Sequence, residues 1–291
     1  MKKQIGMVGV GLMGHGIASN LLRHGHALTV LDHPGNQPLD ALVAAGARVA
    51  ASLQAVAADA ELVILCVTGS PQVEAVVLGD GGLLAHLRPG TVIVDCSTAV
   101  PKSTGRVAAA VGRAGGRFAD APMTRTPKEA AEGRLNLLVG CDAALFAELR
   151  PLLACFAENI THCGEVGAGH RMKLLHNFVS LGGAALIAEA AACARRGRVA
   201  PAVFAEVLAK GGGGGVALER MRPFIERGDD SALKFALSNA VKDLDYYATM
   251  AADSGAVQAI AQAVLSDLRL GVQQLGGDCY VPALVDALAR D

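Results

Sequence analysis

Aromatic residues are scarce in this 291-residue chain, which has no tryptophan, three tyrosines and seven phenylalanines. Its cores must therefore be built from aliphatic side chains and alanine, and the 52% of hydrophobic residues is ample for that. Charge is sparse too, at 18%, and nearly balanced, with a formal net charge of -1 at pH 7. No broad basic field exists, which argues against nucleic acid or an anionic membrane as partner. The seven cysteines are odd in number and scattered, with no Cys-x-x-Cys pair. That pattern excludes a disulfide framework and predicts reduced thiols in a cytoplasmic protein. The opening MKKQIGMVGVG runs into glycine too early for a signal-peptide core. No stretch reads as long and apolar enough to span a membrane, because Glu189 interrupts the alanine-rich run near 182–194.

Short aliphatic runs and glycines dominate what is present. Strands are expected at Ile5–Gly9, Ala27–Leu31, Leu62–Cys66, Thr91–Val94 and Leu135–Val139, with a helix over Leu12–His24. Runs of Val, Ile and Leu separated by helical patterns predict a mostly parallel sheet covered on both faces. After about residue 165 the texture changes. Val166–Arg196 lacks proline and is rich in Ala and Leu, which predicts one long helix. Further helices follow, broken at Gly197, Pro201, Gly211–Gly215, Gly228 and Pro282, with no strand-type alternation. The expected organisation is an α/β Rossmann-like domain over 1–164 and an all-α domain over 165–291. The Gly211–Gly215 run reads as a flexible connection or as a loop that closes over a site.

Gly9-Val10-Gly11-Leu12-Met13-Gly14 is a G-x-G-x-x-G between the first strand and the first helix. Gly9 is expected to make the tight turn, Gly11 to admit a pyrophosphate to the backbone, and Gly14 to let helix and strand pack closely. Free N–H groups and the helix dipole would receive the anion. The second strand ends at Asp32, 23 positions after Gly9. A carboxylate there accepts hydrogen bonds from both ribose hydroxyls and repels a 2′-phosphate. No arginine follows among His33, Pro34 and Gly35, so NAD is expected in preference to NADP.

The sharpest constellation runs from Gly167-Ala168-Gly169-His170 through Lys173 to Ser180. Lys173, His176, Asn177 and Ser180 stand at i, i+3, i+4 and i+7, on one helix face. Met172, Leu175 and Val179 form an apolar face opposite. Four polar groups on an otherwise apolar helix suggest the wall of a cleft. A lysine beside a bound nicotinamide would exchange a proton with a substrate hydroxyl. His24 with His26, and His162 with Cys163, lack further ligands and are read as no metal site.

The glycine motif, Asp95-Cys96-Ser97-Thr98, Asp120-Ala121-Pro122 and the Gly167-Ala168-Gly169…Lys173…Asn177 stretch occur in this order over nearly the whole chain. Together they resemble the β-hydroxyacid dehydrogenase family, which includes 3-hydroxyisobutyrate dehydrogenase and tartronate semialdehyde reductase and is related to 6-phosphogluconate dehydrogenase. The resemblance implies a helical second domain of the 6-phosphogluconate dehydrogenase type. It makes Lys173 the general acid/base, Asn177 a substrate ligand, and the Thr98 segment a neighbour of the nicotinamide. Lys242, in Val241-Lys242-Asp243-Leu244, matches a family lysine near the cofactor. Val67 and Thr68, after the strand Leu62–Cys66, complete the expected cofactor set. Ser97, Met123, Thr124, Arg125, Thr126, His176 and Ser180 join Asn177 as expected substrate contacts.

Three departures from the family pattern narrow the expected reaction. The usual Lys-x-x-Asn-Asn is here Lys173-Leu174-Leu175-His176-Asn177, which is similar to the 6-phosphogluconate enzymes. Ser180 stands where those decarboxylating enzymes carry glutamate, which implies oxidation without decarboxylation. Arg125 lies where a Ser-Gly-Gly usually cradles the substrate carboxylate. Its planar fork suits a carboxylate, sulfonate or phosphate, and the Arg-Thr pair resembles sulfolactaldehyde reductases. The expected reaction is NAD-dependent interconversion of a small anionic 3-hydroxy acid and its semialdehyde, bound between the domains. Reduction of sulfolactaldehyde or tartronate semialdehyde is the alternative within this class. A catalytically silent dinucleotide-binding module is the alternative outside it, opposed by the presence of Lys173, as is imine reduction. Apolar helix surface in the second domain implies a homodimer or homotetramer.

Overall fold

The computed structural model of the protein describes residues 2–290. It divides into two compact units, Met1–Lys173 and Leu174–Asp291. The first is Rossmann-like and the second all-helical.

In the first unit, strands and helices alternate as β1 (Gln4–Val8), α1 (Leu12–Arg23), β2 (Ala27–Leu31), α2 (Asp40–Ala44), β3 (Arg48–Ala50), α3 (Leu53–Ala57), β4 (Leu62–Leu65) and α4 (Ser70–Leu78). Next come β5 (Val92–Asp95), α5 (Pro101–Arg113), β6 (Arg117–Asp120), β7 (Met123–Thr124), α6 (Pro127–Glu132), β8 (Leu135–Gly140), α7 (Ala143–Leu153) and β9 (Ala157–Gly164). The strand order is β3-β2-β1-β4-β5-β6-β8-β7, with β9 also on β8. Pairing is parallel from β3 to β6, and β8 runs antiparallel to β6 and β7. Ile5 lies beside Leu28 on one side and Leu62 on the other, so β1 is central. The order reverses between β1 and β4, and in open α/β sheets ligands bind at the carboxyl ends of the strands at such a place.

The continuous aliphatic runs became strands because both faces of β4 and β5 are buried. Four strands were not expected. β3 and β9 lie at sheet edges with mostly exposed side chains, so neither carries an aliphatic run. β6 ends in a buried acid, and β7 is two residues long. Sequence periodicity is weak in all four for those reasons.

Helix α8 (Ala168–Arg196) is the single long helix expected, and α9 (Pro201–Lys210), α10 (Val216–Arg227), α11 (Leu237–Asp253), α12 (Ala259–Leu275) and α13 (Leu284–Ala289) follow it. The expectation that no stretch is long and apolar enough to cross a membrane is corrected here. α8 has 29 residues and a mean hydropathy of 1.4 over its best 18-residue window, and one glutamate does not offset so much Ala and Leu. Leu181, Ala184, Ala185 and Ala188 of this helix are buried in the core of the second unit with Met221, Leu237, Leu244 and Leu268. A central helix of a protein core passes the same test of length and composition. That core is mostly aliphatic and alanine, with Phe224 buried in it and Phe204 and Phe235 packed against it; Phe178 stacks on Tyr247 at its margin, with ring centroids 4.1 Å apart.

Near the glycine motif, α1 and α6 pack backbone to backbone. A β-carbon at Gly16 would lie 2.5 Å from the Ala130 carbonyl carbon. Buried Asn20 seals this contact, its Nδ2 donating to the carbonyls of Gly16 at 2.8 Å and Ala130 at 2.9 Å. Asn20→Leu would keep the volume but remove the side-chain donor from both carbonyls and bury an apolar group against them. It should cost about 1–3 kcal/mol, read as a lower urea midpoint for the first unit; an unchanged midpoint would show that the seal contributes nothing.

Candidate active site

The glycine turn has the three properties its spacing predicts. Gly9 has φ +92°, and a β-carbon there would overlap the Cys66 carbonyl. A β-carbon at Gly14 would overlap the Gly9 carbonyl, so close packing of α1 on β1 needs glycine. Gly11 instead faces open space, its nearest neighbour being the Gly35 carbonyl oxygen 3.9 Å away. Gly11 is also the N-cap of α1 and offers no side-chain cap, so the amides of the first turn point outward unsealed. This arrangement fits the pyrophosphate of a dinucleotide. Leu12 is exposed there, Met13 is partly buried, and Val10 is buried in the core.

Asp32 follows β2 and is exposed, its N–H donating to the Ala50 carbonyl at 2.8 Å. Sequence reasoning missed Asn36, which ties the next loop to the glycine turn. Its Oδ1 accepts from the Val10 N–H at 3.1 Å, and its Nδ2 donates to the Leu31 carbonyl at 2.8 Å. Positions 33–37 contain no arginine or lysine.

At the ends of β4 and β5 the structure joins several expected residues. The Val67 N–H donates to Ser97 Oγ at 3.0 Å, and the Ser97 N–H donates to Asp95 Oδ1 at 2.9 Å. Ser97 is buried, Thr98 half-buried and Thr68 exposed. Burial drives the Asp95 carboxyl above its usual range, with the His170 imidazole opposing the shift. The same burial, with the Asp95 charge, pushes the Cys66 thiol up to about 12. Burial again, with Cys66 and Asp95 adding to it, raises the Cys96 thiol.

Helix α8 starts on Asp120, the last residue of β6. Oδ1 of that buried carboxylate accepts from the Gly167 N–H at 2.6 Å and Oδ2 from the His170 N–H at 2.7 Å. A β-carbon at Gly169 would overlap the Leu138 carbonyl and lie 2.8 Å from Asp120 Oδ2, which explains Gly-Ala-Gly at this place. Lys173, one turn later, is only 8% exposed.

Buried positions of the helix mix polar and apolar residues, Leu174 and Leu181 being buried as well as Lys173 and Asn177. Asn177 is 5% exposed, whereas the apolar Met172, Leu175 and Val179 are open, Val179 at 73%. Ser180 is half-buried and His176 exposed, its Nδ1 3.0 Å from Asn177 Oδ1. Within the second unit, Asn177 Nδ2 donates to Asp243 Oδ2 at 2.6 Å. Lys242 Nζ lies 2.8 Å from the other oxygen, Oδ1, as an ion pair without hydrogen-bond alignment, and 5.2 Å from the Tyr246 ring centroid. Asp243 was not among the expected site residues. The available signal was its position next to the apolar stripe Leu237, Ala240, Leu244 and Ala248 of α11, where an acid is costly without a partner.

The Met123–Thr126 loop is placed differently from a simple anion fork. Met123 is buried, and Thr124 Oγ1 accepts from Asn136 Nδ2 at 3.0 Å. Arg125 adopts φ +82°, a backbone conformation that favours glycine. Its guanidinium donates to the Arg134 carbonyl and to the Glu158 carboxylate, and this holds Glu158 below the usual carboxylate range. Thr126 caps α6 through a reciprocal pair with Glu129. Among the described residues no cluster of three or more His, Cys, Asp and Glu side chains is arranged for a metal.

Comparison with known proteins follows the same two-part division. The family described as the NAD binding domain of 6-phosphogluconate dehydrogenase matches residues 4–164. The family described as NAD-binding of NADP-dependent 3-hydroxyisobutyrate dehydrogenase matches residues 167–288. The chain is 36% identical to an NAD-dependent L-serine dehydrogenase of Pseudomonas aeruginosa, over 92% of this chain and 89% of that one. It is 34% identical to 2-(hydroxymethyl)glutarate dehydrogenase of Eubacterium barkeri, over 83% of this chain and 80% of that one. Among solved structures, Mycobacterium tuberculosis 3-hydroxyisobutyrate dehydrogenase with L-serine superimposes with a TM-score of 0.89 at 26% identity, each chain covered fully, at 100%.

The cysteines near the strand ends give a chemical test of this geometry. Burial also raises Cys141 to about 12, whereas Cys193 is exposed on α8. At pH 8 a thiol with pKa near 12 is ionised on the order of one part in 10⁴. Iodoacetamide at pH 8 should label Cys193 first and leave Cys66, Cys96 and Cys141 unmodified in peptide mass spectra; early labelling of Cys66 or Cys96 would contradict the packing of β4 and β5.

Proposed function

Because the chain belongs to the β-hydroxyacid dehydrogenase family of NAD(P)-linked oxidoreductases, we propose that it oxidises the hydroxyl of a small 3-hydroxy acid to the semialdehyde, without decarboxylation. The observation that carries this reading is the buried Lys173 with buried Asn177 one turn further along the same face of α8. A buried ammonium is costly, and an enzyme that moves a proton has a use for it.

A nicotinamide dinucleotide held by Gly9–Gly14 would supply the hydride acceptor. The work of the chain's own residues is positional and acid–base. Lys173 Nζ accepts the hydroxyl proton in oxidation and donates it in reduction. Asn177, steadied by Asp243, offers its remaining amide capacity to the substrate, and Ser97, Met123, Thr124, Thr126, His176 and Ser180 complete the expected contacts. Ser180 supplies no carboxyl acid where decarboxylating relatives would need one. Asp32 and a following loop without arginine support NAD over NADP. Thr68, Thr98 and Lys242 are assigned to the cofactor.

A second reading has a specific observation behind it. Arg125 keeps a strained backbone and an exposed ion pair with Glu158, a pairing worth little in water. The carboxylate or sulfonate of a substrate takes Glu158's place in this reading, which favours an anionic semialdehyde of the sulfolactaldehyde or tartronate semialdehyde kind, reduced at its aldehyde.

Self-association as a dimer or tetramer is supported by exposed Leu186, Val203 and Val207 on α8 and α9, and sedimentation as a monomer at micromolar concentration would remove it. Seven free cysteines support a reducing, cytoplasmic setting.

NAD reduction at 340 nm, at about pH 9 to favour lysine as base, tests the reaction. L-serine and 3-hydroxyisobutyrate come first, followed by glycerate, threonate, dihydroxypropanesulfonate and 6-phosphogluconate. Lys173→Ala should lower kcat by about 10³-fold or more with NADH binding intact; undiminished turnover would exclude lysine as the acid/base. Arg125→Gly, which suits φ +82°, should raise KM about tenfold for an anionic substrate such as dihydroxypropanesulfonate while leaving NAD unaffected. Equal effects on both would count against Arg125 as an anion ligand.

A further inference from the structure

The first unit holds a second polar cluster that the proton transfer does not use directly. Asp95, Thr104, Asp120 and His170 are all buried at the carboxyl end of β5 and β6. The His170 ring is fully enclosed, and both its nitrogens are engaged. Nε2 lies 3.1 Å from the Ser97 carbonyl oxygen, and Nδ1 lies 2.7 Å from Thr104 Oγ1. A carbonyl oxygen only accepts, so Nε2 carries the hydrogen.

We propose that His170 is a positioning residue for Lys173: its imidazole fastens the first turn of α8 to the Ser97–Thr98 segment and so fixes where the lysine emerges. The connections converge from every side. Ser97 is held by the Val67 amide, by Asp95 and by His170; the start of α8 is held by Asp120; Thr104 ties the ring to α5. Lys173 follows His170 by three positions, on the same side of a rigid helix.

Packing alone does not account for this cluster. Asp95 Oδ2 is buried without a hydrogen-bond partner, 3.8 Å from His170 Nε2, while that nitrogen serves the Ser97 carbonyl instead. Asp120 Oδ2 lies 3.8 Å from Nδ1, so a second carboxylate flanks the ring. Apolar side chains of equal volume would fill this space without such a cost. The ring's geometry favours the Ser97 link over relief of Asp95, as expected if the link matters.

This inference rests on Lys173 as acid/base, and isosteric variants test it. The amide nitrogen of glutamine reaches about as far as imidazole Nε2, and that of asparagine only about as far as Nδ1. His170→Gln therefore keeps a donor for the Ser97 carbonyl, and His170→Asn loses it. A displacement near 1 Å can cost about 10²-fold in rate. With L-serine or 3-hydroxyisobutyrate and NAD, His170→Asn should lose about 30-fold or more in kcat, with both KM values within about threefold. His170→Gln should return kcat to within about threefold of wild type. Crystal structures of both variants give a readout that needs no turnover: the Ser97–Lys173 Cα separation should be preserved in the glutamine variant and lengthened in the asparagine variant. Wild-type kcat or an unchanged separation in His170→Asn overturns the proposal. So does equal loss in both variants that follows their thermal stability. Lys173→Ala separates the two readings: if it is inactive while His170→Asn turns over normally, only the role of His170 fails; if Lys173→Ala turns over normally, the acid/base reading fails and this inference falls with it.

Discussion

The carboxylate of Asp120 holds the start of α8 in place. It closes β6 and at the same time receives two backbone N–H groups from the start of α8. A helix N-terminus has unpaired amides and a partial positive charge, and a buried carboxylate answers both. The contact is so close that glycine is required around it. A β-carbon at Gly140 would lie 2.5 Å from Asp120 Oδ1, and one at Gly169 would meet both the carboxylate and the Leu138 carbonyl. The Asp-Ala-Pro and Gly-Ala-Gly segments, 47 residues apart from Asp120 to Gly167, are thus two halves of one joint.

Within α8, Lys173 and Asn177 lie one turn apart on the same face. The helix buries these two polar residues and leaves Met172, Leu175 and Val179 open. Burying polar side chains beside apolar ones such as Leu174 and Leu181 is costly. It is tolerated because Asn177 is satisfied by Asp243, and because Asp243 has Lys242 beside it. The glycine turn obeys a comparable logic. Two of its glycines are demanded by backbone proximity, at Cys66 and within the turn itself, while Gly11 faces open space.

Arg125 is the residue for which sequence and structure together say most. Its position suggests an anion fork in place of small residues. The structure shows a left-handed backbone and a guanidinium engaged by Glu158 and the Arg134 carbonyl. Neither neighbour is adjacent in sequence, so these contacts could not be read from the loop alone.

The sequence by itself determined the parts whose signals are local. Aliphatic runs at Leu62–Leu65 and Val92–Asp95 announced buried strands, because strands covered on both faces carry little else. Glycine spacing announced the turn before α1, and the proline-free run announced α8. The tertiary structure alone decided what depends on partners distant in the chain. Edge strands β3 and β9 carry few buried side chains, so they exist through pairing and not through pattern. The membrane-like composition of α8 describes a helix that supplies the core of the second unit. Asp243 beside Asn177 and His170 beside Ser97 are separated by 66 and 73 positions. A buried polar group is acceptable only with its partner in place, and in this chain only the fold brings the partners together.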